Sequence, residues 1–342
     1  MIVRIQHIIM LWFVLCFSYT THSQDIHFSN FYTNVLHVNP AYAGFFNGTY
    51  RFSATIRDQY RTVAIPYKTA TITFDTKQSL KTRQRDYIGY GAIFTYDIAG
   101  DSYFSSTQFS IPLAFHTGTT QNIWQSSFGI IPGLFSNSID YSLLRFPDQF
   151  DGVKFNEDAI TNEEFDNNGK LYFNIGAGAR FMYTPNRKYR YGIGGSVYNI
   201  TQPNISFYNN KNVILPIRYL VHASAQIEVT PQVDILPGLK FQFQGAQQEY
   251  HFGLMALKHT NNIQIPRIFG GAWFRSRDKD AIILGLGMLY KGYEIVLNYD
   301  INISSLRTAS GGHGAVELTV TYIWHEHQKR RRMTPVKCPG FL

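Results

Sequence analysis

Past its first two dozen residues, this chain contains no apolar run approaching the ~18 residues that a membrane-spanning helix needs. A helical membrane protein is excluded. Charge is scarce as well: 16% of residues are charged, against ~25% in an ordinary soluble domain. An equal 16% are aromatic, so a conventional charged surface is a poor description of the outside of this molecule. Cysteine is nearly absent. Cys16 lies in the N-terminal apolar segment and Cys338 near the end, so no disulfide framework is expected. No glycine-rich phosphate loop opens a helix, and the GIGG at 192–195 reads as small residues in a strand. Neither a G-x-S-x-G element nor a Ser–His–Asp arrangement stands out. The expectation is a protein that is not an enzyme and carries no cofactor or metal. Of the net charge of +8, the last eighteen residues carry +4, from five basic residues and one acid, and this concentration at one end is not the footprint of a nucleic-acid-binding face.

The start reads as an export signal. Arg4 supplies the positive charge, Ile8–Phe17 is an apolar core of the expected length, and Thr21 and Ser23 place cleavage after residue 23. Beyond it the chain alternates. Tyr50, Phe52, Ala54 and Ile56 fall on one face, and Arg51, Ser53, Thr55 and Arg57 on the other. Period two is the signature of a strand. The pattern repeats fourteen times, near 49–60, 67–77, 86–97, 105–117, 122–135, 170–184, 188–201, 217–230, 232–244, 248–258, 265–276, 280–290, 292–302 and 313–324. Fourteen alternating strands behind an export signal predict an all-β fold, a transmembrane antiparallel up-and-down β-barrel over residues 49–324. Most even-to-odd connections are short and most odd-to-even ones are long. That matches short periplasmic turns and longer external loops, although the links near 77–86 and 258–265 are longer than this rule expects, and those near 244–248 and 276–280 shorter. The longest loop, 136–169, is also the most acidic.

Opposite the apolar face stand Arg51, Arg57, Asp75, Arg180, Arg218, Glu228, Glu294, Asp300 and Glu317. A cation at the bilayer midplane facing lipid costs about 2–4 kcal/mol, so these residues are assigned to a polar lumen. Pro112, Pro132 and Pro237 fall inside predicted strands, where a missing N–H breaks the ladder, and mark bulges or strand ends.

Two stretches do not alternate. Residues 24–48 are rich in Asn and aromatics, with turn signals at Asn39-Pro40 and Asn47-Gly48, and suit a periplasmic or plug segment. Residues 325–342 form a basic periplasmic tail containing Lys329-Arg330-Arg331-Arg332. In His325-Glu326-His327 the two histidines lack a third ligand, and Cys338 lacks partners for zinc, so neither is assigned a metal.

Phe28-Ser29, Phe31-Tyr32 and Asn39-Pro40-Ala41-Tyr42-Ala43-Gly44, followed by Arg57-Asp58-Gln59-Tyr60-Arg61 and a terminus ending Lys337-Cys338-Pro339-Gly340-Phe341, resemble the PorP/SprF family of the type IX secretion system. The departures are Tyr60, where Trp is common, and Gly340, where a basic residue is frequent. The resemblance implies a non-enzymatic outer-membrane protein of secretion and gliding. Its partners would be outer-membrane lipid, periplasmic ring and motor subunits, and secreted C-terminal signal domains or adhesins. It also marks Asn39, Pro40, Ala41, Tyr42, Ala43 and Gly44 as partner-binding, while the charge of the tail beneath the barrel assigns Lys329, Arg330, Arg331 and Arg332, with Cys338, to an acidic periplasmic partner. The alternative that the polar lumen supports is a passive porin or hydrophobic-compound transporter.

Overall fold

The computed structural model describes residues 28–325, apart from 62–65, 81–85, 101–102, 120–122, 151, 153, 155, 157–160, 162, 164–166, 209, 277–280 and 305–306. The export signal and the basic run Lys329–Arg332 with Cys338 lie outside the described residues. Among those described, no helix is long and apolar enough to cross a membrane.

Fifteen strand segments form one antiparallel sheet: β1 (Tyr50–Gln59), β2 (Tyr67–Ser79), β3 (Tyr87–Ala99), β4 (Phe104–Ser110), β5 (Leu113–Gly118), β6 (Trp124–Ser138), β7 (Gly169–Tyr183), β8 (Tyr189–Tyr198), β9 (Arg218–Thr230), β10 (Val233–Gln244), β11 (Gln247–His259), β12 (Arg267–Ser276), β13 (Ala281–Tyr290), β14 (Tyr293–Asn302) and β15 (His313–Trp324). Segments β4 and β5 are two halves of one strand, since both lie between β3 and β6. The sheet closes where β1 pairs with β15, from Tyr50↔Trp324 to Gln59↔Ala315. The result is the fourteen-stranded barrel expected, with no free edge.

The two faces of each strand follow the sequence pattern. Ile56 and Leu286 point outward, 63% and 70% exposed, while Thr55, Arg57, Thr319 and Glu317 are buried inside. One end carries both ends of the barrel sequence, at Tyr50 and Trp324, and is called here the terminal end. Its connections include the two-residue turn Lys291-Gly292, where both residues have positive φ, as the twist of a tight hairpin requires. The opposite end carries the long connections after β6 and β8, joined to each other where the Asn167 side-chain amide donates to the Phe207 carbonyl at 3.3 Å.

Each of the three prolines is accommodated differently. Pro112 interrupts its strand and separates β4 from β5, but its carbonyl still accepts from the Gly91 N–H, and Ile111 donates across to the Pro132 carbonyl. Pro132 stays within β6, opposite Ile175. Pro237 pairs with Leu254 on β11, while on the β9 side the register passes from Ile235↔Ile227 to Gly238↔Ser224 and skips it.

Candidate functional site: a plugged lumen

The barrel is not hollow. Residues 28–46 run through it, and nearly every one is buried, including Ser29, Asn39, Ala41, Ala43, Phe45 and Phe46 at 0–1% exposure. They contain a four-residue helix, Val35–Val38, and a 3-10 turn, Pro40–Tyr42, separated by Asn39. The Asn39 side chain accepts from the Ala41 N–H and so starts that turn, with Pro40 in the first position, where its absent N–H costs nothing.

The stretch Asn39–Gly44 lies across a belt of small residues on the wall. Four consecutive pairings place Gly89, Ala114, Gly129, Gly178 and Ser196 at one level, on β3, β5, β6, β7 and β8. A Cβ on Gly129 would stand 2.6 Å from the Ala41 nitrogen, and one on Gly89 would overlap the Ala43 carbonyl. A Cβ on Gly178 would overlap the Asn39 side-chain oxygen. Glycine therefore lets plug backbone touch wall backbone. At the end of the belt the Ser196 hydroxyl donates to the Val38 carbonyl at 2.6 Å.

Polar groups fasten this contact. The Asn39 amide donates to the carbonyls of Ala179 and Gly195, at 2.9 and 3.1 Å, which face each other across β7 and β8. The Arg180 guanidinium donates to the Ser127 hydroxyl at 2.8 Å. That oxygen is 2.7 Å from His116 Nδ1, and His116 Nε2 is 2.7 Å from the Ala43 carbonyl. The Ala43 carbonyl can only accept, so His116 donates to it from Nε2. Arg180 also stacks on Phe45, 3.4 Å from the ring centre. Gly44, in a left-handed conformation with φ 72°, donates its N–H to Asp75 at 2.7 Å, and Asp75 takes both arms of Arg51 at 2.8 Å. The Lys77 ammonium donates to the Phe46 carbonyl.

A second anchor holds the start of the plug, nearer the opposite end. Arg57 bridges Asp300 at 3.0 Å and Glu317 at 3.5 Å, and Arg275 meets Asp300 from the other side at 3.0 Å. Two cations and two carboxylates, all nearly inaccessible, balance one another. Burial of such ions is tolerable only when they are paired. Ser29 completes the cluster: its N–H donates to Glu317 at 2.6 Å and its hydroxyl accepts from Arg57. Asn30 reaches Asn298, and the Thr55 hydroxyl donates to Asn34 at 3.0 Å. Lys240 and Glu249 form a further buried pair at 2.6 Å.

Between these anchors the lumen is apolar. Phe31, Tyr32 and Val38 pack on Leu236, Met255, Leu257, Trp273, Ile283 and Val296, all facing inward. The polar lumen read from the sequence is present at the two anchors, and the structure adds an apolar part: once a plug excludes water, part of the inner face becomes hydrophobic core. His37 in the plug is 3.1 Å from the Thr71 hydroxyl, and enclosure together with the nearby Arg218 charge pushes its pKa down to about 3.

The residues assigned to the lumen from the sequence all face inward. Arg51, Arg57, Arg180 and Glu317 meet the plug directly, as above. Arg218 lies over the Tyr198 ring at 4.4 Å. Glu228 is half-buried opposite Asp234, and Glu294 half-buried opposite Thr321. Asn39, Pro40, Ala41, Tyr42, Ala43 and Gly44 are brought together, but buried against the wall. Sequence reading missed the glycine belt. Its signal was present, since Gly89, Gly129 and Gly178 interrupt strands of bulky residues on the inward face.

On the side away from the belt, a crevice of about 240 Å³ separates the plug from β12–β15, β1 and β2. Arg51, Arg267, Glu294, Thr321 and His325 are among the residues that line it. Among the described residues no group of three His, Cys, Asp or Glu side chains is placed to hold a metal ion.

A search of curated protein sequences finds no match. Among solved structures the chain is similar to the toluene transporter TbuX of Ralstonia pickettii, at 13% identity, a TM-score of 0.52, and coverage of 86% of this chain and 94% of that one. The toluene transporter TodX of Pseudomonas putida is similar at 12%, with a TM-score of 0.52 and coverage of 88% and 94%. A FadL homologue of Pseudomonas aeruginosa is similar at 9%, with a TM-score of 0.51 and coverage of 84% and 93%. At such identities the likeness is one of fold. The sequence model of the type IX secretion system membrane protein PorP/SprF matches residues 20–322, and on that match the chain belongs to the PorP/SprF family, a family of membrane barrels and not of enzymes.

Proposed function

We propose that this protein is a closed scaffold of the outer membrane that serves type IX secretion, linking the C-terminal signal domains of secreted adhesins or other cargo to the periplasmic ring and motor. Short turns belong to the periplasmic side of such barrels, so the terminal end is placed in the periplasm and the long loops outside. The observation that carries this reading is the plug. Its polar groups bind the wall, it is continuous with β1, and its removal would expose two buried ion clusters. Among the described residues, 28–46 fill the lumen and leave the two ends of the barrel as its polar surfaces. In this reading Asn39–Gly44 hold the plug, and meet a partner only when the plug leaves. The tail with Lys329–Arg332 and Cys338 is the periplasmic contact, suited by charge to an acidic partner.

The test is affinity purification from native outer membrane under mild detergent. Recovery of periplasmic ring subunits and of a secreted C-terminal domain is expected, and their consistent absence would overturn the reading. A second reading, transport of hydrophobic compounds, is favoured by the barrel's likeness to the toluene transporters. Against it, the main crevice is lined by Arg51, Arg267 and Glu294, which a hydrocarbon would have to desolvate. Planar-bilayer recording and hydrocarbon uptake separate the two: silence and no uptake fit the scaffold.

A further inference from the structure

We propose that the connection between β11 and β12, Thr260–Pro266, is a docking knob for an acidic protein that meets the terminal end of the barrel, with Ile263 as its apolar anchor. The neighbouring hairpins at this end turn tightly, through Pro231-Gln232 and Lys291-Gly292. This connection is longer, and its shape is fixed by hydrogen bonds. The Thr260 N–H donates to the Pro266 carbonyl at 2.9 Å and its hydroxyl to the Ile265 carbonyl, which closes the base. The Asn262 side-chain oxygen accepts from the N–H groups of Gln264 and Ile265, at 2.8 and 3.2 Å. Both neighbouring turns hold it in place. The Lys291 N–H donates to the Gln264 carbonyl at 3.0 Å, and the His259 N–H donates to the Gln232 carbonyl at 2.8 Å.

At the tip of this loop Ile263 is 96% exposed, more than any other large apolar side chain among the described residues. Leu286 and Leu171, the next in order, stand on outward faces of strands, where lipid covers them. Ile263 stands past the strand ends, between exposed Asn261, Asn262 and Gln264. The bonds named above use no atom of its own, and turns favour Gly, Pro, Asn, Asp and Ser over a β-branched residue. An apolar anchor ringed by polar side chains, on a loop with little ordering left to lose, is what a protein partner buries well. Charge selects the partner. At the terminal end every charged side chain that is exposed among the described residues is basic: Arg187, Lys188, Lys258 and Lys291. The acids there, Asp86, Glu228, Glu294 and Asp234, are half-buried or buried. Such a rim attracts an acidic surface and repels a basic one. Lipid fits less well, since the three flanking amides would have to give up water along with Ile263. The proposal rests on the scaffold reading only in placing the terminal end in the periplasm.

The experiment is photo-crosslinking of the full chain in living cells from Ile263→p-benzoylphenylalanine, with mass spectrometry of the adduct. An adduct with a soluble protein of net negative charge is expected, and its yield should fall at least tenfold when Lys258→Glu and Lys291→Glu are added. Co-purification of that same protein with the unaltered chain should fall at least tenfold in Ile263→Ser and survive in Ile263→Leu. Heat-modifiable gel mobility reports that each variant folds. No adduct, or an adduct only with lipid, with a basic protein or with a second copy of this chain, overturns the proposal. Recovery of ring subunits and a secreted domain in equal amounts with the unaltered chain and with Ile263→Ser overturns it too, and leaves the scaffold reading standing. Labelling of Ile263→Cys, in a Cys338→Ser background, by a membrane-impermeant maleimide outside intact cells overturns the orientation in that reading and this proposal with it.

Discussion

The plug meets the two halves of its barrel in opposite ways. Against β3–β8 it lies backbone to backbone on Gly89, Gly129 and Gly178, and its Asn39 borrows carbonyls from the sheet. Against β12–β15 and β1 it packs Phe31 and Tyr32 on Trp273, Ile283 and Val296 and is tied at depth by Ser29 to Arg57 and Glu317, but toward the terminal end it leaves a crevice. The first contact depends on shape and tolerates no added atom. The second combines apolar packing with a balanced ion cluster and leaves room toward the terminal end.

Substitutions can break each side separately. The largest effect is expected for Arg57→Met, which leaves Glu317 buried without its cation and Asp300 with Arg275 alone. Loss of about 3–5 kcal/mol is expected in denaturant unfolding from vesicles, with most of it recovered when Glu317→Gln is added. An unchanged midpoint would mean that the tether does not hold the plug. Gly89→Ala tests the seat. Its Cβ overlaps the Ala43 carbonyl, so a cost of about 1–3 kcal/mol and bursts of conductance from a displaced plug are expected. Gly195→Ala, where the nearest contact is an ordinary 3.6 Å, should cost nothing, and equal effects at the two glycines would refute the belt. Asn39→Ala removes a donor to two carbonyls and is expected to cost about 1–3 kcal/mol, read in the same unfolding assay.

Acid provides a milder test. His37 has a folded-state pKa of about 3, below its ordinary 6.5, so the unfolded chain binds more protons between these values. Its contribution to stability is complete above about pH 6.5 and is lost as pH falls toward 3. Part of the acid sensitivity of the unfolding midpoint should vanish in His37→Gln, and an identical pH profile would show that His37 is solvated. The smallest effect is expected in the crevice. Thr73→Val, at a wall position that lines open space, should stay within about 0.5 kcal/mol.

The strands were legible because period two is local: each residue declares its face through its neighbours two positions away. Fourteen stretches read this way correspond to the observed strands, including the one that Pro112 divides. Arg57, Asp300 and Glu317 were legible as inward, for the same reason, but their meeting was not. They come from β1, β14 and β15, and the chain separation between Arg57 and Glu317 is 260 residues. The inward Trp273, Ile283 and Val296 were harder still. Their side chains make sense only once Phe31 and Tyr32 cover them, and nothing in β12–β14 announces a plug encoded two hundred residues earlier.

The sequence by itself determined the barrel. Alternation, the scarcity of charge and the placement of turns are local properties, and each strand needs only a bilayer outside and a neighbour beside it. What only tertiary structure decided was the lumen. Whether Asn39-Pro40-Ala41-Tyr42-Ala43-Gly44 faces solvent or a wall depends on five strands bringing small residues to one level, which is settled by register and closure. Register fixes which distant residues share a level, and no local pattern in the chain contains it.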